Sequence, residues 1–229
     1  MLKKLTRELK KAGDPEKLKV YSRFFKTGKG EYGEGDLFLG ITVPKTRAIA
    51  RKFKDLSLTD LQKLLESKIH EHRLCALIIL RFQYEKSKSE NIVKFYLKNT
   101  KYINNWDLVD LSCSYIVGNW LLDKDRGLLY RLAKSKDLWE KRIAIISTFE
   151  FIRNNQFEDT LKISEILLSD KHDLIHKAVG WMLRELGKRD QKLLEKFFQK
   201  HYKKMPRTML RYAIEKFDKK KREQYLRST

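Results

Sequence analysis

From residue 69 onward, apolar positions recur at helical spacing in segments of similar length. IHEHRLCALIIL, NNWDLVDLSCSYIV, LWEKRIAIISTF, IHKAVGWMLREL and RTMLRYAIEKF register on Arg73, Leu108, Arg142, Lys177 and Arg211, at spacings of 35, 34, 35 and 34. Shorter, more polar helical segments fall between them, near 90–98, 125–134, 158–168 and 190–202. Upstream, residues 2–11 and 15–26 read as two helices, the second opened by Asp14 as N-cap and Pro15 at the first helical position. Gly28 to Asp36, GKGEYGEGD, breaks the pattern, and helix signals return with Pro44 and with Ser57 and Thr59 before Leu61.

A helix pair that recurs about every 35 residues predicts an α-solenoid, in which each pair buries its apolar face on its neighbours. No β segment stands out, and the Trp, Gly, Tyr and Pro positions of tetratricopeptide repeats are missing. The pattern therefore predicts an all-α, HEAT-like α-solenoid of antiparallel helix pairs, curved so that the second helices line a concave groove. With 3 Pro and no Ser/Gly-rich linker, residues 1–229 read as a single domain.

Individual positions depart from this pattern. Asn104 and Asn105 can cap a helix starting at Trp106, which sets Trp106, Asp110, Cys113 and Val117 on one line and makes Asp110 a carboxylate in an apolar row. Such a carboxylate has a partner or a purpose, an Arg of the next helix being the plain alternative. Arg142 shares a face with Leu138, Ile145 and Phe149, and needs an acceptor, either Asp110 or a phosphate. In the helix from Leu174 to Lys188, Ile175, Val179, Met182 and Leu186 form a core stripe, whereas Lys177, Trp181, Arg184 and Lys188 form a second one. Trp181 thus stands among cations, while Trp120 and Trp139 read as core.

Other constellations carry less. The four glycines of GKGEYGEGD lack the Gly-Lys-Ser/Thr ending of a phosphate loop and are interleaved with three acidic residues, so a mobile connection is expected. His172 and His176 lack a third metal ligand and read as solvated or capping, and His70 and His72 point to different helix faces. No metal and no cofactor is expected.

Charge then narrows the partner. There are 51 Lys+Arg against 30 Asp+Glu, a net charge of +21. Residues 1–26 hold 9 basic and 3 acidic residues and residues 184–229 hold 16 and 6, so the excess sits at both ends. Such a chain can grip an extended polyanion, and ribosomal or membrane-surface binding would give the same composition. The N-terminal residues lack the uninterrupted apolar run of a signal peptide, no run of 18 apolar residues occurs, and Cys75 and Cys113 both lie in apolar helical patterns. A monomer in a reducing cytoplasm, not inserted in a membrane, is expected.

NNWDLVDLS, LWEKRIAIISTF, HDLIHKAVGWMLRELGKRD and MPRTMLRYAIEKF together resemble the AlkD-type DNA alkylation repair family, a set of HEAT-like DNA glycosylases, over most of the chain from Pro15 to Phe217. The resemblance implies hydrolysis of the N-glycosidic bond of cationic alkylpurines, such as 3-methyladenine and 7-methylguanine, in duplex DNA held in the groove during base excision repair. It implies a catalytic Asp110, lesion-side Trp106 and Trp181, and DNA contacts by Arg142 and Arg184, with Lys177 and Arg211 on the same register. A Tyr that the family places near the lesion falls on Phe24, which keeps the ring and loses the hydroxyl. A non-catalytic DNA-binding protein or a protein-binding scaffold would use the same helices.

Overall fold

The structure, a computed structural model, describes residues 1–227 and is built from helices. They gather into two compact units, one of residues 1–112 and one from Cys113 on.

In the first unit α1 (Leu2–Ala12) and α2 (Pro15–Phe24) precede α3 (Val43–Lys52), α4 (Leu58–Leu65), α5 (His70–Ser87), α6 (Glu90–Lys98) and the five-residue α7 (Trp106–Asp110). The expected caps are present: Asp14 accepts from the Glu16 N–H and Ser57 from the Asp60 N–H. α5 is the hub, packed by α1, α3, α4, α6 and α7. Every residue from Leu74 to Leu80 is accordingly buried, as in a helix surrounded on all sides. α2, by contrast, buries none of its residues and ends two residues earlier than expected, before Lys26 turns to φ 54°.

The second unit contains α8 (Gly127–Ala133), α9 (Leu138–Arg153), α10 (Glu158–Leu167), α11 (Asp173–Gly187), α12 (Gln191–His201), α13 (Arg207–Ala213) and α14 (Lys219–Arg227). α11 packs on both α9 and α13, and α8 on α10, while consecutive helices from α8 to α12 also touch. Alternate helices thus stack in two layers, the solenoid arrangement that the 35-residue period predicts. Gly180 brings α11 and α13 close, since a Cβ there would lie 2.5 Å from the Met209 carbonyl oxygen and 2.5 Å from the Tyr212 Cβ.

Two expectations need correcting. The predicted helix through NNWDLVDLSCSYIV is not continuous, so Cys113 and Val117 do not extend the line of Trp106 and Asp110. α7 ends at Asp110, Leu111 and Ser112 form a turn, and Ser114–Gly118 is a π-helix in the second unit. The cause is local: the Ser112 hydroxyl donates to the Leu108 carbonyl at 2.6 Å, and its N–H goes instead to Val109. Gly118 serves the π-helix, because a Cβ there would meet the Ser147 carbonyl of α9 at 2.3 Å. GKGEYGEGD, expected as a connection, is a series of turns with its own bonding. The Glu31 carboxylate accepts from the Gly28 N–H and Glu34 from the Gly30 N–H, so the acidic residues occupy the donors a phosphate would need. The segment leads into a lone parallel bridge between Leu37 and Ile69, the one β pairing among the described residues. The second correction is Trp120, which is only half-buried, with the Lys124 ammonium 5.6 Å from its ring, whereas Trp139 is buried as expected.

Candidate functional site

In the first unit the site is built on α7. Asn105 caps it, its side-chain oxygen accepting from the Trp106 N–H at 2.8 Å, which fixes the helix start where the Asn pair placed it. Leu108 and Val109 turn into the core, and Trp106 and Asp110, one turn apart, are each half-buried. Trp106 stacks on Phe25 with ring centres 5.5 Å apart and planes 17° apart, and meets the edge of Phe24 at 5.5 Å. Phe24 is 59% exposed, so this aromatic pair opens to solvent and not into the core. The structure thus brings Trp106 and Phe24 together, with Asp110 on the same short helix.

Beneath them lies a polar network that sequence reasoning missed. Phe25 and Phe38 both lie on the His70 ring, at 4.9 and 4.8 Å. His70 is 1% exposed; its Nε2 is 2.8 Å from Asp107 Oδ2, and its Nδ1 is 3.5 Å from Asp36 Oδ2, beyond a good hydrogen bond. Arg73 donates to the same Asp36 oxygen at 2.5 Å and to the Ser67 carbonyl at 2.9 Å. Burial works against an imidazolium at His70, but Asp107, by charge and hydrogen bond, and then Asp36 overcome it and push its pKa up to about 9. Burial likewise raises the Asp36 carboxyl, yet His70 and Arg73 outweigh it and hold it below the ordinary value. Two carboxylates and two cations therefore balance inside the unit. Next to them the buried Glu71 carboxylate accepts from the Leu39, Gly40 and Ile41 N–H groups, tying the segment after the glycine turns to α5.

In the second unit Arg142 is only 5% exposed, and its Nη1 donates to the Leu174 carbonyl at 2.6 Å. Trp181 is half-buried beside Phe149, ring centres 5.8 Å apart. The stripe on which it stands is not purely basic. Glu185 sits within it, accepting from the Trp181 Nε1–H at 3.2 Å, Arg184 at 3.3 Å and Lys188 at 2.7 Å. Arg184 also pairs with Glu215, and Lys177 with Asp173 at 2.7 Å. Lys177 and Arg211 do share a cleft of about 740 Å³, whose other cations are Arg207 and Arg222.

The remaining positions are structural. His172 caps α11, its Nδ1 accepting from the Leu174 N–H at 3.1 Å. Cys75 is buried and unoxidised, its thiol pushed up to about 12 by burial. Among the described residues no helix is long and apolar enough to cross a membrane.

Stacked short helices, an open aromatic face beside a carboxylate in one unit and a cleft lined by four cations and two carboxylates in the other define a helical-repeat protein. The chain belongs to the DNA alkylation repair enzyme family, whose model matches residues 5–217. In fold it is similar to the solved structure of a predicted DNA alkylation repair enzyme from Enterococcus faecalis, with a TM-score of 0.71 at 17% identity over 90% of this chain and 97% of that one. No curated protein matches the sequence.

Proposed function

We propose that this protein is a DNA glycosylase that hydrolyses the N-glycosidic bond of cationic alkylpurines, 3-methyladenine and 7-methylguanine, in duplex DNA during base excision repair. The observation that carries the reading is α7 itself, which presents Trp106, edged by the exposed Phe24, one turn from Asp110. Membership of the repair family supports it.

The residue types suit the reaction. An N3- or N7-alkylated purine already carries a positive charge and leaves as a neutral base, so no general acid is required. What remains is to stabilise the sugar as it becomes oxocarbenium-like and to place a water at C1′, which one carboxylate can do. We assign that role to Asp110. Indole faces attract a cationic nucleotide by about 0.5 to 2 kcal/mol each and discriminate against neutral bases, the role assigned to Trp106 and Trp181, with Phe24 completing the lesion side. Arg184, Lys177 and Arg211 take phosphates. The Lys177–Asp173 pair lies at the surface, where such pairs are worth about 0 to 1 kcal/mol and yield to a phosphate, whereas Arg184 is half-buried between Glu185 and Glu215. Arg142, assigned to DNA by the resemblance, is 5% exposed and held by the Leu174 carbonyl, so it has little side-chain freedom to lose on contacting DNA.

The test is release of free 3-methyladenine and 7-methylguanine from alkylated duplex by the wild type and by Asp110→Asn, with thermal unfolding measured beside it. Removing the charge at constant size lowers release by about 10² or more while the protein stays folded and DNA-bound. If Asp110 is instead a structural anchor, the substitution destabilises the fold by several kcal/mol, roughly 3 to 5. Undiminished release by folded Asp110→Asn removes it as the catalytic carboxylate, and DNA binding without any release by the wild type leaves a non-catalytic DNA-binding protein.

A further inference from the structure

α7 has five residues, too few to persist on its own hydrogen bonds, so its position is set by what it packs against. Its apolar side chains Leu108 and Val109 enter the core, which holds the helix in place but leaves its rotation and tilt to directional contacts. One such contact is Asp107 Oδ2 on His70 Nε2 of α5 at 2.8 Å, with Asp107 Oδ1 turned to the Leu108 N–H at 2.9 Å. His70 also reaches α7 by a second route, since Phe25 lies between its ring and the Trp106 indole. On its other side His70 faces Asp36, which Arg73 holds. The imidazole is therefore a strut: one nitrogen toward α7, the other toward the segment that follows the glycine turns, and one face under the aromatic stack.

We infer that His70 and Asp107 are positioning residues, the pair through which α5 fixes the orientation of α7 and so sets where Trp106 and Asp110 meet the damaged nucleotide. Neither touches substrate. This rests on the glycosylase reading for its consequence, although the strut can be tested without it. Asp107 and Asp110 are neighbours at i and i+3, so a rotation of α7 that relaxes one displaces the other. Misplacing a reacting group by about 1 Å costs on the order of 10²-fold in rate, which is the scale of effect the strut would prevent.

The experiment uses the full chain labelled with 5-fluorotryptophan, the Trp106 fluorine resonance being assigned from Trp106→Phe. In Asp107→Ala the Trp106 resonance shifts or broadens while that of the buried Trp139 keeps its place. The single-turnover rate constant for base release at saturating protein falls by about tenfold to a hundredfold, with affinity for undamaged duplex held within about twofold. Asp107→Asn keeps an oxygen to accept the His70 Nε2–H, and restores both resonance and rate. Because Asp107→Ala leaves an imidazolium short of a partner, a second variant, His70→Leu with Asp107→Leu, replaces the ion pair by apolar side chains and leaves Asp36 paired with Arg73. Such replacements are often neutral for stability. A Trp106 resonance at its wild-type position in both variants overturns the inference, as does a wild-type release rate in either folded variant. Failure of the wild type to release any base would sink the glycosylase reading alone, and the fluorine signal would still decide the strut.

Discussion

The imidazolium of His70 has a consequence for stability that its burial makes large. An ordinary histidine titrates at 6.5, and in the fold the group is pushed up to about 9 by Asp107 and Asp36 against the opposing effects of burial and Arg73. Since the folded value is the higher, the folded state binds the proton more tightly. Its contribution is complete below pH 6.5 and is lost as the pH rises from 6.5 through 9, in total about 3 kcal/mol. Urea unfolding between pH 6 and pH 10 should show this fall, and His70→Gln should flatten it. A wild-type profile already flat over that window would mean that the histidine is neutral in the fold. None of this network was legible in the sequence, where His70 and His72 read only as histidines on different faces. The reason is distance along the chain, because the His70–Asp107 and Arg73–Asp36 pairs each span 37 residues. The usable signal was the period itself. Arg126–Asp159 at 33 and Arg184–Glu215 at 31 are likewise opposite charges about one repeat apart. The start of α7 behaved differently: the buried Asn105 cap and the one-turn spacing of Trp106 and Asp110 follow from the local pattern, since a cap and a helical spacing are short-range facts.

Helix existence was the most legible property of the chain, because burial on both sides of α5 and α9 demands long apolar runs that no loop would carry. What the pattern could not show is where a helix yields to its neighbours. The break after α7 and the π-helix at Ser114–Gly118 come from a hydroxyl that takes over a backbone acceptor and from the approach of α9, and both look like ordinary helix in a hydrophobic pattern. Register alone did not fix the fate of equivalent side chains either: Arg73 and Arg142 are buried, Lys177 is salt-bridged and Arg211 is exposed. The junction of α11 with α13 gives a direct test of how tightly the repeats stack. Gly180→Ala places a Cβ 2.5 Å from the Met209 carbonyl and from Tyr212, so the helices must separate or twist. Although alanine favours the helix by about 0.8 to 1.0 kcal/mol, overpacking costs about 1 to 3 kcal/mol, and the net change is destabilising. The melting temperature should fall, and on the proposed glycosylase reading excision of methylated purines should fall with it, because Trp181 is the next residue. An unchanged melting temperature would show that the α11–α13 contact is looser than the geometry requires.

The charge of the molecule is arranged so that its effect on DNA can be read separately from its chemistry. Of the +21 net charge, much sits in the N-terminal 26 and C-terminal 46 residues. On α11, Lys177, Arg184 and Lys188 are already matched by Asp173, Glu185 and Glu215, so the formal charge overstates what a duplex meets there. Each cation that does reach a phosphate releases a counterion, adding about 0.9 to the magnitude of the slope of log Kobs against log salt. With at least three such contacts the slope for undamaged duplex should be about −2.7 or steeper. Arg211 isolates the effect, being exposed on the cleft it shares with Lys177. Arg211→Ala should leave thermal stability unchanged and weaken binding of methylated and unmethylated duplex alike, because phosphate contacts position a protein on DNA without specifying a base. The slope should fall by about 1. Titrations of both duplexes across a salt series decide it: a loss confined to methylated DNA would move Arg211 to the lesion, and affinity that barely responds to salt would mean that the cation-lined cleft is not where the duplex lies.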